Sequence, residues 1–175
     1  EFTMAFDAFA YFKGSDVVGE TQDDAMKKEK AFEIISFEIG AENNINIGSM
    51  TSGGGAGKAT FKEFTITKKT DTASAAMFSK LCEGAHFDDM VVELRRSGGA
   101  AGVSGKTFLK WEFKLVMIQD ISWSGSDGDD ICEETVVLQY GAMKVTYTPQ
   151  DKQGKDGTPK TGECSRVLNK ANLAV

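Results

Sequence analysis

The chain has 175 residues, a formal net charge of −6, 41% hydrophobic and 26% charged residues, and a single histidine. That length suits one domain with a real core, and the composition excludes a chain disordered throughout. The longest apolar run, Ala8–Phe12, is far short of the roughly 20 residues of a membrane-spanning helix, and no segment gathers a basic stripe for nucleic acid.

Glu1-Phe2-Thr3 ahead of Met4 read as a cloning remnant, and the first residues lack the basic and apolar regions of a signal peptide. Ala5–Lys13 is the first expected strand. Phe9 and Tyr11 share one face and Phe6 and Phe12 the other, so this strand should be buried on both sides. Phe32–Ile39 and Thr60–Thr67 are β-branched and aromatic and read as further strands. Between them, Ala41–Gly57 is too long for a hairpin turn, which marks a functional or mobile connection. Asp71 or Thr72 can cap a helix in which Ala73, Ala76, Met77 and Leu81 recur at helical spacing. Gly84 supplies its left-handed stop, so the helix should cover about 72–83.

Met90–Arg95 alternates, with Met90, Val92 and Leu94 inward. Thr107–Met117 is the most regular strand, with Leu109, Trp111, Phe113, Leu115 and Met117 on one face and Lys110, Glu112 and Lys114 on the other. In Val136–Tyr147 the phase of Val136, Leu138 and Tyr140 reverses to that of Met143, Val145 and Tyr147. A bulge or bend at Gly141 would re-aim the side chains and help a sheet curl; two separate short strands are the alternative. The expected fold is mostly β: a single-domain β-barrel of two packed antiparallel sheets over 4–150, with one short flanking α-helix. Residues 151–175 begin polar and Gly-rich, then regain Val167, Leu168 and Leu173. They read as a C-terminal extension, flexible or docked on this subunit or a neighbour.

Candidate chemistry is sparse. Gly53-Gly54-Gly55-Ala56-Gly57-Lys58 misses the phosphate-loop pattern, with Ser52 where glycine is needed, Ala59 where a hydroxyl is needed, and a strand following. Ser126-Asp127-Gly128-Asp129-Asp130 opens like a calcium loop, but Cys132 and Leu138 stand where its glycine and glutamate belong. His86 with Asp88 and Asp89 finds no second half for a metal site, and no G-x-S-x-G is present to make a nucleophile elbow. Glu133-Glu134 reads as a solvated strand edge. Cys82, Cys132 and Cys164 are odd in number and widely spaced, as reduced thiols are. No enzyme is expected, and no cofactor or metal.

An ordered set of strings is more specific. Met4–Ala8, Gly19–Asp24, Ile35–Ile39, Gly53–Lys58, Phe64–Lys68, Glu93–Arg96, Gly98-Gly99 and Tyr147–Gln150 together resemble the hemolysin-coregulated protein (Hcp) family. These are the tube subunits of bacterial type VI secretion systems. The resemblance implies a β-barrel that forms homohexameric rings, stacked into a tube that carries and protects effector proteins in its lumen. It implies sheath, spike and baseplate proteins as partners, with neither nucleic acid nor membrane insertion. It also implies a bacterial cytoplasmic protein that is secreted on firing without a cleaved signal. Asn43, Asn44, Ile45, Asn46, Ile47, Ser49 and Met50 resemble the family's protruding ring-stacking loop. A monomeric β-barrel that binds a small ligand inside is the alternative.

Overall fold

A computed structural model describes residues 6–45, 56–96 and 105–175. In chain order it forms β1 (Phe6–Phe12), a short 3₁₀ turn (Met26–Glu29), β2 (Phe32–Ile34), β3 (Ser36–Glu38), β4 (Ala41–Ile45), β5 (Ala56–Phe61) and β6 (Phe64–Lys69). Then follow α1 (Thr72–Glu83), β7 (His86–Arg96), β8 (Lys106–Ser124), β9 (Glu133–Tyr147) and β10 (Lys160–Ser165). Eight strands make one antiparallel sheet in the order β2-β1-β7-β8-β9-β6-β3, with β10 added to β9.

The two ends of that order are neighbours in sequence. β2 pairs with β1, while β3, one residue later, pairs with β6. The Ile35 amide between them already donates to the Thr67 carbonyl at 2.8 Å. One stretch, 32–38, therefore closes the sheet on itself, and closure removes most of the edges an open sheet would expose. The expected barrel is the fold the chain adopts. Its facing walls meet through aromatic rings: Phe64 stacks on Phe113 at 4.8 Å, and Phe37 packs edge-on against Trp111 at 5.2 Å.

β9 is one continuous strand with the expected change of phase. Val136, Leu138 and Tyr140 face the core up to Gly141, and Met143 faces it afterwards. Gly141 also marks a change of partner, from β6 below Leu138 to β10 above Ala142. The opposite strand flips at the same level. Phe113 and Val116 both point inward, and Leu115 between them carries φ 53, the left-handed region that bulky residues avoid. Leu115 and Met117 are consequently exposed, against the alternation read from sequence. Because both strands flip together, their register does not slip there; it shifts only between Ile118 and Asp120.

β1 is buried twice, as its pattern demands. Ala8, Ala10 and Phe12 enter the main core, while Phe9 and Tyr11 pack with Met26, Ala31 and Val91 in a second cluster. The cover on that second face is thus the chain's own 3₁₀ segment, not a neighbouring subunit. α1 starts on a capping box: Asp71 Oδ1 accepts from the Ala73 amide at 3.0 Å, and Ser74 Oγ accepts from the Asp71 amide at 3.0 Å. Gly84, at φ 64, ends it. The segment after Gln150 contributes β10, whose Lys160–Ser165 pairs in register with Tyr147–Ala142 of the same chain.

Candidate assembly surfaces

The long connection after β3 is in part a β-hairpin. Ala41 pairs with Phe61, Glu42 with Thr60 and Asn43 with Ala59, as a two-stranded sheet separate from the barrel. Register then shifts before Ile45–Ala56, so Asn44 faces the extra residue pair Gly57–Lys58. The bulge needs glycine: a Cβ on Gly57 would sit 2.6 Å from the Asn44 carbonyl oxygen. At its base the hairpin is anchored. Buried Phe61 packs edge-on against Tyr140 at 5.6 Å, Tyr140 against Phe113 at 4.9 Å, and the Tyr140 hydroxyl donates to the Lys62 carbonyl at 3.4 Å. Burial pushes the Tyr140 phenol up to about 12, with nearby Arg166 opposing the shift. Beyond that base β4 is exposed along its whole length, and Ile45 is 62% exposed.

Of the residues singled out for ring stacking, Asn43, Asn44 and Ile45 therefore stand on this exposed strand. Asn46, Ile47, Ser49 and Met50 lie outside the described residues. Lys58 of the glycine-rich string opens no helix; it lies on β5. His86 and Asp88 stand 3.7 Å apart and exposed, while Asp89 pairs instead with Lys114 at 2.5 Å. The Asp127–Asp130 turn is held locally, with Asp129 Oδ2 accepting from the Ser126 amide at 2.8 Å. Among the described residues no three His, Cys, Asp or Glu side chains are placed to hold a metal ion.

The face of the sheet turned away from the main core is charged and ordered across strands. Glu112 of β8 stands in register with Lys144 of β9, which stands in register with Glu163 of β10. Lys114 likewise faces Asp89, and Lys110 faces Glu93. Opposite charges in cross-strand register attract, so this wall is self-complementary. Glu93 is itself buried: its carboxylate accepts from the Tyr11 hydroxyl and the Thr107 hydroxyl, each at 2.9 Å. Arg95 follows on β7, donating to Thr107 Oγ1 at 3.0 Å and to the Gly105 carbonyl.

Glu134 overturns its reading as a solvated edge. Its side chain is fully buried and holds Lys68 at 2.9 Å, while Ser74, Thr70 and Trp123 donate to the same carboxylate. By residue type the two adjacent acids are alike. The only hint was the strand phase, which puts Glu134 in line with Val136 and Leu138.

Comparison with known proteins agrees with this geometry. Residues 11–147 match the family described as "Type VI secretion system effector, Hcp". The chain is similar to Protein hcp1 of Pseudomonas aeruginosa, 31% identical over 103 residues, or 58% of this chain and 62% of that protein. The chain thus matches less than two thirds of that relative's length. Among solved structures, one described as a type six secretion system protein is 30% identical, with TM-score 0.82 over 95% of this chain and 99% of that one. Hcp1 from Salmonella typhimurium is 25% identical, with TM-score 0.67 over 95% of this chain and 99% of the other.

Proposed function

The chain belongs to the Hcp family of type VI secretion, and on that premise we propose that it is a structural subunit of the secretion tube. In this reading copies assemble head to tail into homohexameric rings. The rings stack, carry effector proteins in their lumen, and leave the cell with them. Sheath, spike and baseplate proteins are then its partners, and no step requires catalysis by this chain.

The family match over residues 11–147 carries the reading. The exposed β4–β5 hairpin supports it: an anchored base and a solvated strand suit a part that reaches a neighbouring ring, with Asn43, Asn44 and Ile45 as contacts. No helix among the described residues is long and apolar enough to cross a membrane. The family match, not the fold, assigns export to the type VI route. The competing idea of a small ligand inside the barrel meets a filled interior, where Phe64, Phe113 and Tyr140 occupy the space.

Sedimentation and negative-stain microscopy of the purified protein test the proposal. Rings are the expected result. A protein that stays strictly monomeric at micromolar concentration overturns it.

A further inference from the structure

The sequence holds two Asp-Gly steps, Asp127-Gly128 and Asp156-Gly157, and no Asn-Gly step. In such a step the glycine amide can reach the preceding side chain, because no Cβ shields its nitrogen. The reaction closes a five-membered succinimide. A bond forms between the glycine nitrogen and aspartate Cγ, while the hydroxyl of the protonated carboxyl leaves with the amide proton as water. Water then reopens the ring. Breaking the bond from nitrogen to Cγ restores aspartate. Breaking the bond from nitrogen to the backbone carbonyl carbon leaves isoaspartate, whose chain runs through Cβ and whose α-carboxylate is free. One water leaves and one enters, so no oxidant or other co-reactant is needed.

The fold treats the two steps differently. Asp127-Gly128 lies in the connection between β8 and β9, where residues 125–133 are exposed. This turn is closed by its outer members. The Asp129 amide donates to the Ser126 carbonyl at 3.1 Å, and the Ser126 amide donates to Asp129 Oδ2 at 2.8 Å. Among the described residues, neither the Asp127 carboxylate nor the Gly128 amide has a hydrogen-bond partner. Gly128 is also uncrowded: a Cβ built there would meet nothing within 4 Å.

At Asp156-Gly157 both reacting groups are held. The Gly157 amide donates to the Pro149 carbonyl at 2.7 Å, and Asp156 Oδ2 accepts from Lys106 Nζ at 3.2 Å. Asp156 also forms a backbone bridge to Gln150. A Cβ on Gly157 would lie 3.1 Å from Pro149 Cγ, so this peptide is packed as well as bonded. Attack there must first break the amide hydrogen bond and draw the carboxyl away from the lysine.

We propose that Asp127 is a site of spontaneous isoaspartate formation, and that the fold protects Asp156 from the same reaction. The isomerised turn is then a substrate for a carboxyl methyltransferase that recognises isoaspartate. In that step the methyl group leaves the sulfonium of S-adenosylmethionine and bonds to an oxygen of the free α-carboxylate, giving the methyl ester and S-adenosylhomocysteine. The added backbone atom unseats the Ser126–Asp129 closure but lies beyond the last sheet pair, Ser124 with Glu133. The barrel therefore keeps its register after the change.

The test ages the full chain in warm, mildly acidic buffer, folded or in urea. Each sample is cut after glutamate, which puts the two steps in separate segments, 113–133 and 135–163. The peptides are then incubated with an isoaspartyl methyltransferase and radiolabelled S-adenosylmethionine. In folded protein, label in 113–133 should exceed that in 135–163 severalfold, be lost in Asp127→Glu, and persist in Asp156→Glu. Ageing in urea should bring the two segments to similar labelling. No label in 113–133 from folded protein, or equal label in both segments, overturns the proposal. A urea sample that keeps the folded contrast overturns protection by the fold. None of these outcomes depends on ring assembly, so the tube reading stands or falls separately.

Discussion

Lys68 and Glu134 are register partners on β6 and β9, with Lys68 Nζ 2.9 Å from Glu134 Oε1 and both side chains fully buried. The ammonium also donates to Asp71 Oδ1 at 2.7 Å, to the Lys69 carbonyl at 2.7 Å and to Ser74 Oγ at 3.2 Å, and lies over the Phe32 ring. Asp71 is the helix cap, so the same cation ties the barrel wall to the start of α1. On its other oxygen Glu134 accepts from the indole of Trp123 at 2.7 Å, which fixes a ring that packs edge-on against Phe78. A buried pair is tolerable only when its remaining hydrogen-bonding capacity is met, and here it is.

Removing one partner strands the other. Glu134→Ala is expected to destabilise the fold by about 3–5 kcal/mol, because it leaves Lys68 buried with Asp71 alone as counter-ion. The double change Lys68→Met with Glu134→Leu should fall much nearer the parent. Urea denaturation of all three proteins checks this; equal losses for the single and double variants would contradict it.

The hairpin should fail locally when its bulge is filled. Gly57→Val forces a side chain into a space where a Cβ already lies 2.6 Å from the Asn44 carbonyl oxygen. Amide exchange in β4 and β5 should quicken while the protection of β7 and β8 holds, since the hairpin is a separate two-stranded sheet. If the ring reading is right, stacking of rings should weaken before the rings themselves.

Gly141 is packed from three sides. A Cβ there would lie 3.0 Å from Val175 Cγ1 and 3.2 Å from both Leu115 Cβ and Val167 Cγ2. Gly141→Leu should therefore cost about 1–3 kcal/mol, the usual range for overpacking. Adding Val175→Ala should recover part of that loss, measurable as a partial return of the melting temperature.

Alkaline pH should unlock the base of the hairpin. Tyr140 titrates near 10 when unfolded and is pushed up to about 12 in the fold, so the folded state binds more protons between those values. Its contribution is fully present below pH about 10 and is lost as pH rises towards about 12, a drop on the order of 2 kcal/mol. Denaturant titrations across that window should show a shallower fall for Tyr140→Phe. Burial and Glu93 raise the Tyr11 phenol as well, so some fall should remain.

Much of this was legible along the chain, for reasons that are local. The alternation from Leu109 to Phe113, the phase change at Gly141, and the Asp71 and Gly84 ends of α1 each depend on neighbouring residues or on the backbone freedom of one. The family resemblance was equally visible, since it rests on ordered strings. The resemblance implies a protruding loop over Asn43, Asn44 and Ile45, but the hairpin that carries them was not legible, because Asn44 and the Gly57–Lys58 bulge break the alternation that announces paired strands.

The rest was decided by contacts between residues far apart in sequence. Leu115 continues a regular pattern on paper and departs from it because β9 flips at Gly141 directly across from it. Glu134 looks like its neighbour Glu133, and only the arrival of Lys68, 66 residues away, makes burial of its charge tolerable. Phe32–Ile39 reads as one strand, yet the bend at Ile35 hands that strand from β1 to β6 and closes the barrel. Periodicity reports which face of a strand is apolar. Which strand stands beside it, and whether a charge finds its partner there, is settled only when the sheet curls.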